Sequence, residues 1–309
     1  MKILILGAGA IGGYFGGRLV EGGADVTFLV REERQKQLQR SGLRIESTFG
    51  DYAAPVETIT RDEIQLPFDL VLLTCKAFDL PSAIESIRPA VGSQTAVLPL
   101  LNGIAHMERL NEQFGTARVL GGLAKIAATA TPAGLIKHLN DWRYITFGEQ
   151  DGTLSARVIT LKEAFDKTSV IASAVPDIMQ KMWEKVVHLA TVAGMTCAMR
   201  ASVGEIVRTT DGSALLIEFL ERNAEIARCE GFSPSDDFLD EYRRMFRDPK
   251  STYTASMLRD IEKGGPIEAE HIIGFVLNRA RVHKVDDSMH RFVYTHLQSY
   301  EERRITGEL

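Results

Sequence analysis

Short apolar runs alternate with helical stretches along the first half of the chain. The runs are rich in Val, Leu and Ile and comprise Lys2–Leu6, Asp25–Val30, Leu70–Thr74 and Thr95–Leu98. Buried strands that alternate with helices are typical of a parallel sheet covered on both faces. The pattern therefore predicts an α/β fold with a doubly wound, mostly parallel sheet in the N-terminal part.

Two weaker strand pairs are expected beside this sheet, each closed by a turn. The first pair is Leu43–Ser47 with Tyr52–Glu57. The second pair is Leu135–His138 with Tyr144–Phe147, around a turn at Asn140-Asp141.

After about Pro176 the pattern changes to long helical periods. Six helices are predicted there: Ile178–Ala193, Ala214–Cys229, Asp236–Phe246, Ser251–Glu262, Glu268–His283 and Met289–Arg303. A chain of 309 residues exceeds what one core usually organises. We therefore expect two domains, an α/β domain over residues 1–172 and an all-helical domain over residues 173–309.

Composition narrows the class of protein without identifying it. The chain has 25% charged residues and a formal net charge of −5, which argues against nucleic acid or an anionic membrane as its main partner. The N-terminus has four apolar residues before Gly7, fewer than the roughly 7–15 of a signal peptide, and no run approaches the roughly 20 residues of a membrane span. Three cysteines, Cys75, Cys197 and Cys229, share no metal-like spacing. We expect a cytoplasmic protein without a metal, as a monomer or homodimer.

The first predicted strand ends in a glycine-rich motif. Gly7-Ala8-Gly9-Ala10-Ile11-Gly12 matches G-x-G-x-x-G directly before a predicted helix. In such motifs the first glycine makes a tight turn, the second admits a pyrophosphate and the third allows close packing of helix on strand. The free amides of the helix start then bind the phosphates. The motif predicts that this is a Rossmann domain that binds a dinucleotide.

The end of the second strand indicates which dinucleotide. Arg31 follows Gly12 by 19 residues, where a site for NAD would place Asp or Glu against the ribose hydroxyl. An arginine suits the 2′-phosphate of NADP, and Arg34 offers a second donor. Glu32 and Glu33 leave a mixed-charge, solvated helix start as the alternative. NADP is the predicted cofactor.

Three further residues are candidates for chemistry. Lys76 and Asn102 follow predicted strands at their carboxyl ends, where open parallel sheets bind ligands, although either also fits an ordinary loop. Lys185 heads an apolar stripe on a predicted helix. Burial lowers the pKa of an ammonium toward the range useful for proton transfer. The alternative is a lysine whose stem covers apolar surface and whose amine stays in water.

Other polar residues of the helical part have stronger structural explanations. Glu268 would stand in a first helical turn, where a carboxylate is favoured by the helix dipole. Ser256 lies inside a helical pattern, where a hydroxyl usually bonds the preceding turn. His188 stands three residues after Lys185 and competes for an acid-base role, with a packed or solvated ring as the alternative.

Taken together, these residues resemble the ketopantoate reductases (2-dehydropantoate 2-reductases). The resemblance covers essentially the whole chain and rests on Gly7–Gly12 with Arg31, Thr74-Cys75-Lys76-Ala77, Leu100-Leu101-Asn102-Gly103, Trp183-Glu184-Lys185, Ser256–Ile261, and Glu268 followed by Gly274. It implies a cytoplasmic, NADP-dependent oxidoreductase. The implied reaction reduces 2-dehydropantoate, a 2-keto acid, to pantoate in pantothenate and coenzyme A biosynthesis.

The resemblance also implies a role for each matched residue. Lys185 matches the general acid that binds the substrate and protonates its ketone oxygen as hydride arrives from NADPH. Lys76 and Asn102 match residues at the nicotinamide end of the cofactor, and Asn102 also touches substrate. Ser256 matches a contact to the substrate carboxylate, and Glu268 matches a residue that binds the cofactor ribose and supports closure. Across an insertion, Ala128 matches a backbone contact to the cofactor.

Two substrate-binding positions depart from the family pattern. Leu189 and Ala193 stand where the family usually has asparagines, four and eight residues after the lysine, and Gly194 replaces the usual proline. A site built to bond a hydroxyl discriminates by up to about 10⁴–10⁵, so this loss is expected to change substrate preference. Two alternatives stay open. One is a related NADP-dependent reductase of a more apolar 2-keto acid, and the other is a non-enzymatic, NADP-binding redox-sensing module.

Overall fold

The parallel sheet predicted for the N-terminal part is present, next to a second sheet. The computed structural model describes residues 1–308. In chain order its strands are β1 (Lys2–Leu6), β2 (Asp25–Leu29), β3 (Leu43–Glu46), β4 (Tyr52–Ala54), β5 (Glu57–Ile59), β6 (Leu70–Leu73), β7 (Ala96–Pro99), β8 (Leu120–Ala130), β9 (Leu135–Glu149) and β10 (Ile171–Ala174). The helices of this part are α1 (Ala10–Glu21), α2 (Glu32–Ser41), α3 (Leu80–Ile87), α4 (His106–Phe114) and α5 (Ala156–Phe165).

The first sheet is parallel throughout, in the order β5-β2-β1-β6-β7. The four strands predicted for it are confirmed to within one residue at each end. Ile3, Leu4 and Ile5 of β1 are all buried, as expected for a central strand covered on both faces. The strand order reverses beside β1, so the carboxyl end of this strand is the place where such sheets bind ligands.

The second sheet has the order β10-β9-β3-β4, with β8 antiparallel to β9. The expected pairing of β3 with β4 is confirmed, but the second expected pair is wrong. Its two segments belong to the single strand β9, and the residues expected to form a turn lie in an irregular stretch of the ladder. There the Oδ1 of Asn140 accepts hydrogen bonds from the amides of Ala127 at 3.1 Å and Trp142 at 3.2 Å. The Asn140 side chain thus accepts from backbone amides that have no partner in the irregular part of the ladder. The strand therefore continues through this stretch without a turn.

Two glycines allow α1 to pack against both sheets. A Cβ atom added at Gly16 would lie 2.6 Å from the ring of Phe28 in the first sheet. One added at Gly17 would lie 2.6 Å from Cδ1 of Ile45 in the second sheet. The close approach buries these side chains in a single core and fixes the helix that follows the glycine motif.

The C-terminal part is helical, as predicted. Its helices are α6 (Ile178–Met199), α7 (Val203–Val207), α8 (Gly212–Cys229), α9 (Asp236–Met245), α10 (Ser256–Glu262), α11 (Phe275–His283) and α12 (Ser288–Thr306). The short α7 was not predicted. Residues 251–255 were expected to be helical and are not, because the carbonyl oxygens of Ser251 and Tyr253 accept from the amides of Gly204 and Val203. A π-helical turn, Glu270–Gly274, precedes α11.

The chain divides into two units. The first comprises Met1–Leu101 and His106–Ile178, and the second comprises Asn102–Ala105 and the chain from Met179 onward. The expected division after residue 172 falls inside β10, which pairs with β9 and belongs with the first unit. Across residues 1–308, none of the helices is both long and apolar enough for a membrane crossing.

Candidate active site

The glycine turn between β1 and α1 has the geometry that its sequence predicts. Gly7 has a φ of +89°, a conformation that favours glycine, and its amide donates to the carbonyl oxygen of Leu29 at 2.9 Å. A Cβ atom added at Gly12 would lie 2.2 Å from the carbonyl oxygen of Gly7. Only glycine therefore allows the first turn of α1 to approach the strand this closely.

Gly9 leaves open space at the start of α1. It is the N-cap residue, no side chain caps the helix, and nothing lies within 4 Å of a Cβ built on it. The first amides of a helix have no intrahelical acceptor and carry the positive end of its dipole. An open, uncapped helix start of this kind fits the pyrophosphate of a dinucleotide.

Thr74 braces the glycine turn from the neighbouring strand. Its Oγ1 donates to the carbonyl oxygen of Leu6 at 2.8 Å, and the same atom would lie 2.4 Å from a Cβ at Gly12. Thr74 has no predicted role of its own in the sequence. The available signal was its position at the carboxyl end of an apolar strand, directly before Cys75-Lys76.

A cavity of about 720 Å³ opens at the carboxyl ends of β1, β2 and β6. Gly7, Gly9, Thr74 and Cys75 are among its lining residues. The volume lies within the range of about 300–1,000 Å³ that is typical of small-molecule and cofactor sites. The cavity therefore has the position, size and backbone geometry of a dinucleotide site.

Arg31 and Arg34 both line this cavity. Arg31 is exposed at the N-cap of α2. Arg34 is half-buried, which lowers its pKa, and its Nη2 donates to the carbonyl oxygens of Ala8 at 2.8 Å and Gly134 at 3.3 Å. Glu32 also lines the cavity, but its exposed carboxylate lies 3.8 Å from the Nζ of Lys36. Two guanidinium groups at one end of the cavity favour an anionic group there.

In the second unit, Lys185 lies on α6 and is partly buried. Burial lowers the pKa of its amine to about 8, while the carboxylate of Glu268 acts in the opposite direction. The desolvation predicted by the apolar stripe is present. An amine with this pKa is mostly protonated at neutral pH and releases its proton more readily than an ordinary lysine.

Glu268 is buried and lies two residues before the π-helical turn. Its carbonyl oxygen accepts from the amide of Ile272 at 3.1 Å. Turns of this kind are frequent at functional sites. The loop that contains Asn102 lies beside the same turn, since a Cβ added at Gly103 would lie 3.0 Å from Cδ2 of His271. The second unit thus brings Lys185, Glu268 and the Asn102 loop into one region.

Trp183 fixes the part of α6 that carries Lys185. Its ring stacks on Phe232 and contacts Phe275, with centroids 6.0 Å apart in both pairs. Phe275 is the first residue of α11, directly after the π-helical turn. The contact therefore ties α6 to the element that follows Glu268, a relation that sequence spacing could not reveal.

The residues predicted to bind substrate differ in how accessible they are. Leu189 presents accessible surface one turn after Lys185, whereas Ala193 is completely buried and offers no surface to a ligand. The predicted contact at Ala193 is therefore corrected to a packing role. Ser256 is the first residue of α10 rather than an interior one, and it is half-buried.

His188 is a packed residue, as its alternative interpretation had it. Its ring stacks on Tyr242 with centroids 4.3 Å apart, and on Tyr253 at 5.7 Å. Its Nε2 lies 3.0 Å from the hydroxyl of Tyr253, and burial raises the pKa of that hydroxyl to about 12. This stack holds the segment that leads into α10, and it favours Lys185 over His188 as the acid-base group.

Two predicted cofactor residues of the first unit lie near the cavity. Lys76 is exposed directly after Cys75, which lines the cavity, and precedes a short 3₁₀ turn. Ala128 lies on β8 opposite His138, next to the irregularity in the ladder. Ala130, two residues further, lines the cavity. The predicted contact at Ala128 remains a prediction.

Each unit supplies a different chemical capacity. The first holds a cavity suited to a dinucleotide with an anionic end, and the second holds a lysine that donates a proton readily. In the part of the chain that is described, no cluster of three or more His, Cys, Asp or Glu residues is arranged to bind a metal ion. The dinucleotide cavity and the lysine with a lowered pKa together favour hydride and proton transfer.

Both parts of the chain match a known family. The description "Ketopantoate reductase PanE/ApbA" matches residues 3–152, and "Ketopantoate reductase PanE/ApbA C terminal" matches residues 177–301. An uncharacterized oxidoreductase of Bacillus subtilis (strain 168), YkpB, is 36% identical over 309 residues, which cover 98% of this chain and 100% of that protein.

Solved structures match this chain over almost its whole length. The crystal structure of 2-dehydropantoate 2-reductase from Methylococcus capsulatus has a TM-score of 0.88 and 26% identity, and the match covers 98% of each chain. A D-mandelate dehydrogenase, solved with NADH and anilino(oxo)acetate, has a TM-score of 0.86 and 20% identity, covering 98% of this chain and 99% of that one. The second likeness concerns the fold alone.

Proposed function

Because the chain belongs to the ketopantoate reductase family, we propose that it reduces 2-dehydropantoate to pantoate with NADPH. The protein is an oxidoreductase that depends on a pyridine nucleotide, so the non-enzymatic alternative is set aside. The 2-keto acid and the phosphorylated form of the nucleotide are the parts that we propose.

The observation that carries the proposal is the placement of Lys185, partly buried on α6, where the charge of the buried Glu268 acts on its amine; burial lowers the pKa of that amine to about 8. A general acid works best when its pKa lies near the working pH. At neutral pH this amine is charged, so it donates a hydrogen bond to a ketone oxygen and stabilises the negative charge that develops there. An ordinary lysine, with a pKa near 10.4, would yield its proton less readily.

The reaction balances with these groups. When bound, the reduced nicotinamide supplies a hydride, which forms the new C–H bond at C2 of the keto acid. The electron pair of the C=O π bond moves to oxygen, and the Nζ of Lys185 gives that oxygen a proton. The amine regains its proton from solvent. The products are a 2-hydroxy acid and the oxidised nucleotide.

The proposed cofactor is NADPH because of Arg31 and Arg34. Both guanidinium groups face the dinucleotide cavity, and neither makes an ion pair within residues 1–308. Guanidinium groups match the geometry of a phosphate, and an adjacent 2′-phosphate would supply the missing counter-charge. We assign Lys76, Asn102 and the backbone of Ala128 to the cofactor as well.

The second unit is proposed to hold the keto acid. The hydroxyl of Ser256 is assigned to its carboxylate and Asn102 to its keto group, next to Lys185. Glu268 is assigned to the cofactor ribose, and its charge also supports the protonated form of Lys185. These assignments follow the family resemblance at matching positions.

A more apolar 2-keto acid is the second candidate substrate, and Leu189 favours it. This side chain is accessible where the family has an amide that bonds a hydroxyl. The fold does not decide between acids, since a protein named for D-mandelate has the same architecture. Leu189→Asn restores the amide without changing the lysine.

The test is kcat/KM for 2-dehydropantoate, pyruvate and branched 2-keto acids, each with NADPH and with NADH. The proposal predicts the highest value for 2-dehydropantoate with NADPH, by about tenfold or more over the other pairs. A branched, apolar acid with the highest value would establish the second candidate. In that case Leu189→Asn should shift the preference toward 2-dehydropantoate. If no acid oxidises NADPH, the proposed reaction is excluded.

A further inference from the structure

A second cavity, of about 680 Å³, adjoins the dinucleotide cavity on the first unit. We name it the arginine cavity, because its lining includes Arg31, Arg34, Arg40 and Arg44. Glu33 is the one carboxylate residue among its lining residues. Four guanidinium groups around one opening are unexpected in a chain whose formal net charge is −5.

These guanidinium groups have no carboxylate partners in the described chain. The side chains of Arg31 and Arg40 make no hydrogen bond or ion pair within residues 1–308, and Arg40 is exposed. Arg34 donates to two backbone carbonyl oxygens and to the side chain of Gln37, and Arg44 donates to one backbone carbonyl oxygen. All of these acceptors are uncharged. Glu33 offsets only one of the four positive charges, so the lining keeps a net positive charge that raises the local concentration of anions.

Hydrogen bonds hold the residues that line the arginine cavity in place. Three side chains from α2 and β3 bond three consecutive carbonyl oxygens of the turn that joins β8 to β9. Arg34 donates to Gly134 at 3.3 Å, Gln37 to Pro132 at 3.1 Å and Arg44 to Ala133 at 3.2 Å. Each of these two arginines uses an Nη group to hold the turn, so its position relative to the turn is fixed.

The spacing of the arginines indicates the size of the anion. Arg34 and Arg40 are six residues apart on α2, which at 1.5 Å per residue separates them by about 9 Å along the helix. Arg31 lies before the first turn, and Arg44 lies on β3 next to the far end of the helix. The cations therefore extend over more length than one phosphate group covers.

We propose that the arginine cavity binds a small phosphorylated anion of the pyrophosphate class. The occupant sits beside the dinucleotide cavity and shares Arg31 and Arg34 with it. Because these two arginines are also assigned to the 2′-phosphate, an anion in the arginine cavity weakens binding of NADPH. The weaker binding of NADPH rests on the proposed cofactor, whereas binding of the anion to the arginine cavity does not.

The direct test titrates inorganic pyrophosphate into the cofactor-free protein by calorimetry at constant ionic strength and without divalent metal ions. The informative variant is Arg40→Gln with Arg44→Gln, since neither residue lines the dinucleotide cavity. Arg109→Gln on α4 is the matched control, because it removes one exposed, uncompensated arginine elsewhere in the same unit. Circular dichroism checks that each variant is folded.

The expected result is a pyrophosphate dissociation constant that rises about tenfold or more in the double variant and stays unchanged in Arg109→Gln. NADPH fluorescence should also show that pyrophosphate raises the apparent dissociation constant of NADPH in the wild type. Equal pyrophosphate affinity in wild type and double variant would overturn the proposal. So would an affinity that depends on Arg31 and Arg34 alone, because the anion would then occupy only the dinucleotide cavity. Neither failure bears on reduction of a keto acid, which is assayed separately.

Discussion

The Nη2 of Arg34 donates a hydrogen bond to the carbonyl oxygen of Ala8 at 2.8 Å, inside the glycine turn. The two residues are 26 positions apart, and the bond ties the first turn of α2 to the loop that approaches the dinucleotide phosphates. Arg34 thus has a positioning role besides its charge. Arg31, which makes no such bond, has charge alone to contribute.

This difference predicts separate effects for the two arginines. Arg31→Gln should raise the dissociation constant of NADPH about 10–100-fold and leave that of NADH nearly unchanged, because only the 2′-phosphate loses a partner. Arg34→Gln should weaken both nucleotides, since the glycine turn also loses its tie to α2. Fluorescence titration with NADPH and NADH measures both constants. Equal losses for the two nucleotides in Arg31→Gln would contradict the assignment.

Gly9 and Gly12 should separate cofactor binding from stability. A Cβ at Gly12 would meet the carbonyl oxygen of Gly7 at 2.2 Å, so Gly12→Ala should lower the free energy of unfolding by about 1–3 kcal/mol. Gly9→Ala meets nothing within 4 Å and should cost within about 1 kcal/mol, the cost of a poorer N-cap.

Although Gly9→Ala should change stability little, it should weaken the binding of NADPH. Its methyl group would stand in the space assigned to the pyrophosphate, so NADPH should bind about tenfold more weakly or worse. Thermal unfolding and NADPH titration of both variants test the pair. If Gly9→Ala bound NADPH like the wild type, the phosphates would have to lie elsewhere.

The sequence predicted the strands around this turn because their signals are local. β1, β2, β6 and β7 are apolar runs that are buried on both faces, and each was placed to within one residue. β8 was missed because Gly121-Gly122 and its alanines have low strand propensity, and its long ladder with β9 stabilises it. The hydrogen bonds accepted by the Asn140 side chain allow a continuous strand where the sequence pattern had predicted a turn.

The candidate site was predictable where one residue type carries the chemistry. Lys185 was identified from its apolar stripe and the family resemblance, and its lowered pKa agrees with that reasoning. The hydrogen bonds from Thr74 to Leu6 and from Arg34 to Ala8 join residues that are 68 and 26 positions apart. No rule of sequence spacing predicts such contacts. Ser256 was misplaced within its helix for the same reason, since distant amides hold residues 251–255 extended.

The charge of Glu268 should set the pH range of activity. Burial lowers the pKa of Lys185 to about 8, and Glu268 counteracts that shift. A general acid must be protonated, so kcat/KM for reduction should fall as the pH rises through about 8. Glu268→Gln removes the counteracting charge and should move this decline to lower pH. A decline at the same or a higher pH in the variant would show that Glu268 does not support the protonated lysine.

His290 should make the helical unit sensitive to acid. The ring is completely buried and its Nε2 lies 3.0 Å from the Oδ1 of Asn223. Burial lowers its pKa from 6.5 to about 4. Below pH 6.5 this histidine binds a proton in the unfolded chain, whereas in the folded chain it binds one only below about pH 4. The free energy of unfolding should therefore fall by roughly 2–3 kcal/mol between pH 6.5 and pH 4.

The measurement uses urea unfolding at pH 7 and pH 4.5. Trp183 fluorescence in a Trp142→Phe background reports on the helical unit, because these are the only tryptophans of the chain. In His290→Gln the stability at pH 7 should be lower, since packing and one hydrogen bond are lost, but the additional loss at pH 4.5 should shrink. An unchanged pH dependence would assign the acid sensitivity to other groups.

Turnover by Lys185→Ala decides whether this lysine is the general acid, with Lys181→Ala as the control one turn earlier on α6. Lys181 is exposed and its Nζ lies 3.1 Å from the carboxylate of Glu184. We expect Lys185→Ala to lower kcat about 10²–10⁴-fold while the dissociation constant of NADPH changes little, and Lys181→Ala to stay close to the wild type. Wild-type turnover in folded Lys185→Ala would exclude Lys185 as the general acid, because the ketone oxygen would then receive its proton from another group.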